Sequence, residues 1–163
     1  MKILYTAVFV LAAFITNAQG YKIVNNQVIV DKAITFTAGT ATLNPESDAA
    51  IKIIKKYLDD KPYISLLRIE CHTDISGDAK ADQKLSEKRA YVVAAALMAL
   101  GIDCKRLIPA GFGSTKPVAK NDTPEGRAAN IRITLVNAAL NGKLIGGIPA
   151  NGGGVVSIDL CAQ

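Results

Sequence analysis

Residues 64–100 read ISLLRIECHTDISGDAKADQKLSEKRAYVVAAALMAL, and the change of period inside that stretch decides the kind of fold. Ile64 to Glu70 is short, apolar-rich and strand-like. Thr73 to Asp82 is polar and contains Gly77, which predicts a loop. From about Gln83 to Leu100 the apolar residues recur at helical spacing, and Gly101 is suited to end that helix. Working outward, Arg106 to Gly111 is strand-like, Gly113 to Asn121 is loop, and Thr123-Pro124-Glu125 starts a short helix that leads into the alternating strand Asn130 to Val136. Upstream, Asn44 is a good N-cap, Pro45 fits the first helical position and Glu46 complements the helix dipole. Ala50, Ile51, Ile54, Tyr57 and Leu58 then mark one face until Pro62 stops the run. Tyr21 to Val30 and Ala33 to Thr37, broken by Asn25-Asn26 and Asp31-Lys32, predict short strands or a hairpin. The order β-α-β-α-β-α-β predicts a two-layer α/β sandwich.

The helix over 83–100 contains a conflict. Leu85, Val92, Val93, Ala96, Leu97 and Leu100 gather on one stripe, and Arg89, four after Leu85 and three before Val92, falls within it. One reading is an arginine whose stem packs while its head snorkels to water, or a structural ion pair. The other is a guanidinium held at the rim of a pocket, where its planar fork suits a carboxylate. Asp74, just after a strand, stands where ligand sites of α/β folds tend to lie, and is available as its partner.

The chain has 163 residues, 50% hydrophobic, 20% charged and 6% aromatic, with a net charge of +5 and a mean hydropathy of +0.23. That suits one globular domain and excludes disorder over most of the length. The basic excess does not imply a nucleic-acid partner, because the lysines and arginines are scattered without interleaved aromatics. Lys2, the apolar run Ile3 to Ile15 and the small polar stretch Thr16 to Gly20 have the pattern of a secretory signal peptide cut after Ala18. About 13 apolar residues fall short of the roughly 20 that span a bilayer, so a mature exported chain with no transmembrane span is expected. Of three cysteines, Cys104 and Cys161 lie near segment ends and form the better pair, whereas Cys71 sits in a strand-like run as a small buried hydrophobe. Their spacing fits no zinc site, and no metal or cofactor is expected. Gly111 to Lys116 lacks the order of a phosphate loop, and Pro117 blocks the helix such a loop needs. His72 beside Asp74 reads either as a general base or as a structural imidazole.

Taken together, His72-Thr73-Asp74, Leu85-Ser86-Glu87-Lys88-Arg89-Ala90, Gly111-Phe112-Gly113, Pro117 and Gly126-Arg127-Ala128-Ala129-Asn130, with Phe36, Ala41, Leu43 and Pro45 upstream, resemble the OmpA-like domain of outer-membrane and stator proteins. The likeness spans about Ile34 to Val136, and the fifteen-residue step from Asp74 to Arg89 matches the family's ligand pair. The resemblance implies a β-α-β-α-β fold with a mixed sheet and non-covalent, non-catalytic binding of the peptide stem of peptidoglycan. Diaminopimelate in that stem carries an ammonium and a carboxylate at its side-chain end. Asp74 would take the first and Arg89 the second. Thr73, Ser76, Asp82, Leu85, Gly39 and Thr40 would complete the site, with Arg127 and Asn130 behind it, and Arg127 is equally readable as a surface ion-pair partner. The location implied is the periplasm or cell envelope of a Gram-negative bacterium, in association with the outer membrane, and other envelope proteins are candidate partners.

The chain departs from the family pattern at four places. Cys71 replaces a glycine, Asp82 an asparagine, Gly39-Thr40 an Asp or Asn before Ala-x-Leu, and Ile131 an arginine. Asp82 is equally suited to cap the second helix. The expected division is 1–18 signal peptide, 19–33 N-terminal hairpin segment, 34–137 OmpA-like domain and 138–163 glycine-rich extension. Ser157 to Leu160 is strand-like, and the extension either folds back on the sheet, secured by Cys161, or meets another envelope protein. Two other functions remain open: a cell-wall hydrolase using Asp74 and His72, and a purely structural interaction domain with an internal Asp74–Arg89 ion pair.

Overall fold

Asn25 and Asn26 both adopt positive φ, 48° and 69°, the backbone that a two-residue hairpin turn requires. They join β1 (Tyr21–Val24) to β2 (Gln27–Val30). The computed structural model describes residues 20–162, so the expected signal peptide lies outside the described residues. The chain continues through α1 (Ser47–Asp60), β3 (Ile64–His72), α2 (Ala79–Ala99), a single 3-10 turn (Cys104–Arg106), β4 (Leu107–Gly113), α3 (Pro124–Asn130), β5 (Arg132–Leu140) and β6 (Lys143–Leu144). The strands form one sheet in the order β1-β2-β5-β3-β4, with β6 on β5. β3 and β4 run parallel because α2 carries the chain back across the sheet. The β1–β2, β2–β5, β3–β5 and β5–β6 pairs are antiparallel, so the sheet is mixed.

Both long helices cover one face of the sheet. Ile51, Ile54, Tyr57 and Leu58 of α1 and Val93 and Leu97 of α2 meet Leu67 and Ile69 of β3 and Leu135 of β5 in one buried cluster. Each such side chain removed from water contributes about 1.5–3 kcal/mol. Tyr57 has its ring in that core and its hydroxyl donates to Asn137 Oδ1 at 2.7 Å. Burial pushes its pKa up to about 12. The end of α1 is tied to the start of β3 by Arg106, which donates to Leu58 O of the helix and Ile64 O of the strand, both at 2.9 Å, and to Lys61 O between them at 3.3 Å. Where α2 crosses β4 the approach is so close that a Cβ on Gly111 would lie 2.6 Å from the Glu87 nitrogen. Only glycine fits there.

Several boundaries differ from the sequence reading. α2 starts at Ala79 rather than Gln83, because the Asp78 side chain accepts from Lys80 N and Ala81 N and caps the helix one turn earlier. Asp82 is therefore not the cap. Asn44 does not cap α1 with its side chain, which is taken up by the Thr35 and Thr37 hydroxyls. Residues 33–37 form no strand, only an isolated bridge between Phe36 and Leu43.

The extension folds back on the sheet. Val155 makes a two-bond bridge with Gly111, which partly covers the outer edge of β4. Arg68 and Glu70 alternate with Leu67 and Ile69 and so point away from the helices. There Arg68 Nε donates to Glu70 Oε1 at 2.7 Å and Arg68 Nη1 to Ala150 O at 3.1 Å. Burial works to raise the Glu70 pKa, but His72 and Arg68 outweigh it and hold the carboxyl below its usual value. Cys104 and Cys161 form a disulfide that fastens the end of the extension beside β4, and Cys71 is free and buried. Ser157 to Leu160 forms no strand. That segment is held by the disulfide and by burial of Leu160, which is 5% exposed, instead of by a ladder.

Tyr57→Phe should cost about 1–2 kcal/mol at neutral pH in denaturant unfolding, since Asn137 loses its donor. The tyrosine ionises near 10 in the unfolded chain and near 12 in the fold, so its contribution is intact below pH 10 and is lost as pH rises from 10 toward 12. The variant should show a shallower alkaline decline. Reducing the Cys104–Cys161 bond, or Cys161→Ser, should lower stability by about 2–4 kcal/mol in the same assay.

Candidate functional site

The C-terminal end of β3 points into a loop, and a cleft opens there between residues 34–39, the end of β3, α2 and the start of β5. Its volume is about 520 Å³, and its walls include Phe36, Gly39, Cys71, Asp74, Arg89 and Arg132. The sequence reading placed Asp74, Arg89 and Gly39 in a site, and all three line this cleft. Thr40 adds its backbone: Arg89 Nε donates to Thr40 O at 2.8 Å. Gly39 takes φ 69°, which a side chain would resist.

Arg89 is 4% exposed, yet among the described residues it makes no ion pair. The guanidinium carbon instead lies 4.8 Å from the centre of the Phe36 ring, a cation–π contact. Burial lowers the Arg89 pKa, and the Asp74 carboxylate works against that shift, while burial pushes the Cys71 thiol up to about 12 and keeps it neutral. Asp74 is half-buried on the same cleft. Among the described residues no ion pair within hydrogen-bonding reach joins it to Arg89, so the internal pair considered from sequence does not form. Two opposite charges thus face one cavity without neutralising each other.

The remaining expected site residues support the loop instead of lining the cleft. Asp82 is 4% exposed, and its Oδ2 accepts from Ser76 N at 3.2 Å and Ser114 Oγ at 3.0 Å. Ser76 is exposed and its hydroxyl accepts from Asp78 N. Thr73 donates its backbone N–H to Gly113 O at 2.9 Å, while its buried Oγ1 has no protein partner among the described residues. Leu85 is half-buried on α2. Asn130 is fully buried, its Oδ1 accepting from Val118 N and Ala119 N and its Nδ2 donating to Ala119 O. Arg127 donates to Asn121 O at 3.0 Å, and Asn121 Oδ1 accepts from Ile75 N at 3.2 Å. Arg127 therefore steadies the segment after Asp74 through Asn121, and among the described residues it forms no ion pair.

His72 stacks on Phe112, ring centres 5.0 Å apart, and its Nε2 lies 3.6 Å from Glu70 Oε2. The carboxylate that faces the imidazole is Glu70 rather than Asp74. Arg132 was missed as a cleft residue. It sits opposite His72 across the β3–β5 ladder, and burial lowers its pKa. Its position in an alternating strand signalled only a sheet residue, and nothing local marked the strand's first residue as a cleft wall.

Comparison with known proteins gives consistent findings. The OmpA family model matches residues 35–132. The outer-membrane lipoprotein YfiB of Pseudomonas aeruginosa is 39% identical over 103 residues, 63% of this chain and 61% of that protein. The cell wall anchor of the T6SS from Pseudomonas aeruginosa superposes with a TM-score of 0.61 at 26% identity, covering 75% of this chain and 90% of that one. The peptidoglycan-associated lipoprotein from Burkholderia pseudomallei gives a TM-score of 0.56 at 27% identity, covering 64% and 86%. The chain spans about half of the length of the curated relatives it matches, 48% and 61% in two of them. No helix among the described residues is long and apolar enough to cross a membrane.

Asp82→Ala should free the Ser76 amide, visible as faster hydrogen exchange at that position, and cost about 1–3 kcal/mol of stability. Asp82→Asn keeps an acceptor oxygen and should lose much less.

Proposed function

The chain belongs to the OmpA family, and on that premise we propose that it binds peptidoglycan without covalent chemistry, through the diaminopimelate residue of the stem peptide. The carrying observation is the cleft's pair of opposite, mutually unpaired charges: a half-buried Asp74 carboxylate and an Arg89 guanidinium taken out of water. A zwitterionic ligand end supplies what each lacks. Asp74 accepts from the ligand ammonium, and Arg89, its Nε already occupied by Thr40 O, keeps its terminal nitrogens for a carboxylate. Both bonds are charge-assisted and about twice as strong as neutral ones. A lysine-type stem has no side-chain carboxylate. It would cover Arg89 without pairing it, at a cost of about 1–3 kcal/mol or more. The fold shared with a peptidoglycan-associated lipoprotein and a cell wall anchor supports this reading.

Binding without catalysis is favoured over hydrolysis because His72 faces Glu70 and stacks on Phe112. In this reading the protein is exported and works in the envelope of a Gram-negative bacterium, tethering itself or a partner protein to the wall.

Purified protein should pellet with diaminopimelate-type sacculi and release no soluble fragments. Asp74→Ala and Arg89→Ala should each reduce pelleting at least tenfold while keeping the circular dichroism of the parent. Release of fragments, or unchanged pelleting by both variants, overturns the proposal. Lysine-type sacculi should bind at least tenfold more weakly than diaminopimelate-type sacculi.

A further inference from the structure

The extension lies across the face of the sheet away from the helices, and three of its contacts each lead, through one neighbour, to a wall of the cleft. Gly154 packs so closely on Phe112 that a Cβ would lie 2.7 Å from a ring carbon. Phe112 stacks on His72, a cleft residue that is 1% exposed. Neither ring nitrogen of His72 has a hydrogen-bond partner among the described residues, so packing against Phe112 sets where the imidazole sits. Val155 pairs with Gly111, and Gly111 lies opposite Cys71, which also lines the cleft. Gly152 O accepts from Lys116 Nζ at 3.3 Å, and Lys116 O accepts from Arg132 Nη2 at 3.0 Å. Arg132 is a third cleft wall. Close-packed interiors leave little free volume, so a displaced side chain moves the next.

The extension is itself held at few points. Gly146, Gly147, Gly152 and Gly153 all take positive φ, and among the described residues the chain after β6 joins no ladder beyond the Val155 bridge. The Cys104–Cys161 bond closes it, with Cys161 exposed. A stretch so rich in glycine regains much freedom on release, so without that bond a few polar contacts oppose a large gain of entropy.

We propose that residues 150–161 are a disulfide-latched strap that braces the cleft, and that reduction of the latch weakens ligand binding. In that step a dithiol gives up two electrons and two protons, the S–S bond breaks to two thiols, and the dithiol closes to its own disulfide. Cys71 is buried and takes no part. The effect on binding rests on the peptidoglycan reading, whereas the effect on the shape of the cleft does not.

Nuclear magnetic resonance and sacculus pelleting test this on the whole chain: oxidised, reduced by a dithiol, and as Cys104→Ser/Cys161→Ser. The bond lies by the start of β4, where Leu107 faces Leu67, and Cys71 is about 13 Å further along β3. Changes at the cleft therefore report the strap rather than the sulfurs. Loss of the latch should shift the amide signals of residues 71–74 and leave those of α1 in place, which also verifies the fold. It should weaken pelleting about fivefold, the low end of ordinary coupling between sites. Gly154→Ala, with the bond intact, should shift the same signals by pressing on Phe112. Unchanged signals at 71–74 in the unlatched chain or in Gly154→Ala overturn the proposal, as does unchanged pelleting by an unlatched chain whose signals have moved. If the oxidised parent fails to pellet, the peptidoglycan reading falls, and the amide signals alone decide whether the strap braces the cleft.

Discussion

One guanidinium with almost no solvent and, among the described residues, no carboxylate in ion-pair contact is the constraint around which this molecule is arranged. Arg89 belongs to the face of α2 that packs toward the sheet, among Ala90, Val93 and Leu97, and is 4% exposed. Leaving a cation there is costly unless its surroundings compensate. The compensation is partial: a carbonyl from Thr40, the face of Phe36 and the field of a more distant Asp74. The 34–43 segment is shaped to deliver the first two. Phe36 is bridged to Leu43, and Gly39 turns the chain through positive φ so that the Thr40 carbonyl faces α2.

Precision at the cleft comes from polar side chains, Asp82 and Asn130 buried and Asn121 half-buried, that hold backbone in place. Asp82 holds the loop after Asp74, Asn121 holds Ile75, and Asn130 holds the loop after β4. Each is a polar group fixed by bonds it makes, and each fixes a stretch that would otherwise be mobile. Asp82 is instructive because its charge had suggested a ligand contact. Its Oδ2 instead accepts from both Ser76 N and Ser114 Oγ.

The chain that follows β6 solves a different problem. A sheet covered by helices on one side leaves the other side and an outer edge open. In this protein Val155 pairs with Gly111 at that edge, and the Ala150 carbonyl accepts from the buried Arg68. The 57-residue separation closed by the Cys104–Cys161 bond holds this cover in place without requiring a large apolar interface.

Local sequence signals determined the hairpin, the three helices and the long strands, because each depends on contacts or spacings of a few residues: paired asparagines for the turn, a 3.6-residue period for α2. The disulfide partners, 57 residues apart, were indicated only by cysteines placed at segment ends. Sequence also singled out Arg89, since a cation on an apolar stripe breaks the pattern its own neighbours set. It misplaced the start of α2 because Asp78 and Asp82 are both plausible caps, and only packing decides which one is buried against Ser76 and Ser114. It did not reveal Arg132 as a cleft wall or Ile75 and Val118 as neighbours, because those positions are brought together by strand pairing and loop closure across 40 to 60 residues. Nor did it settle whether Asp74 and Arg89 pair with each other. That depends on their separation across the cleft, a quantity set by how β3, α2 and the 34–43 segment pack, and tertiary structure alone left the two charges apart.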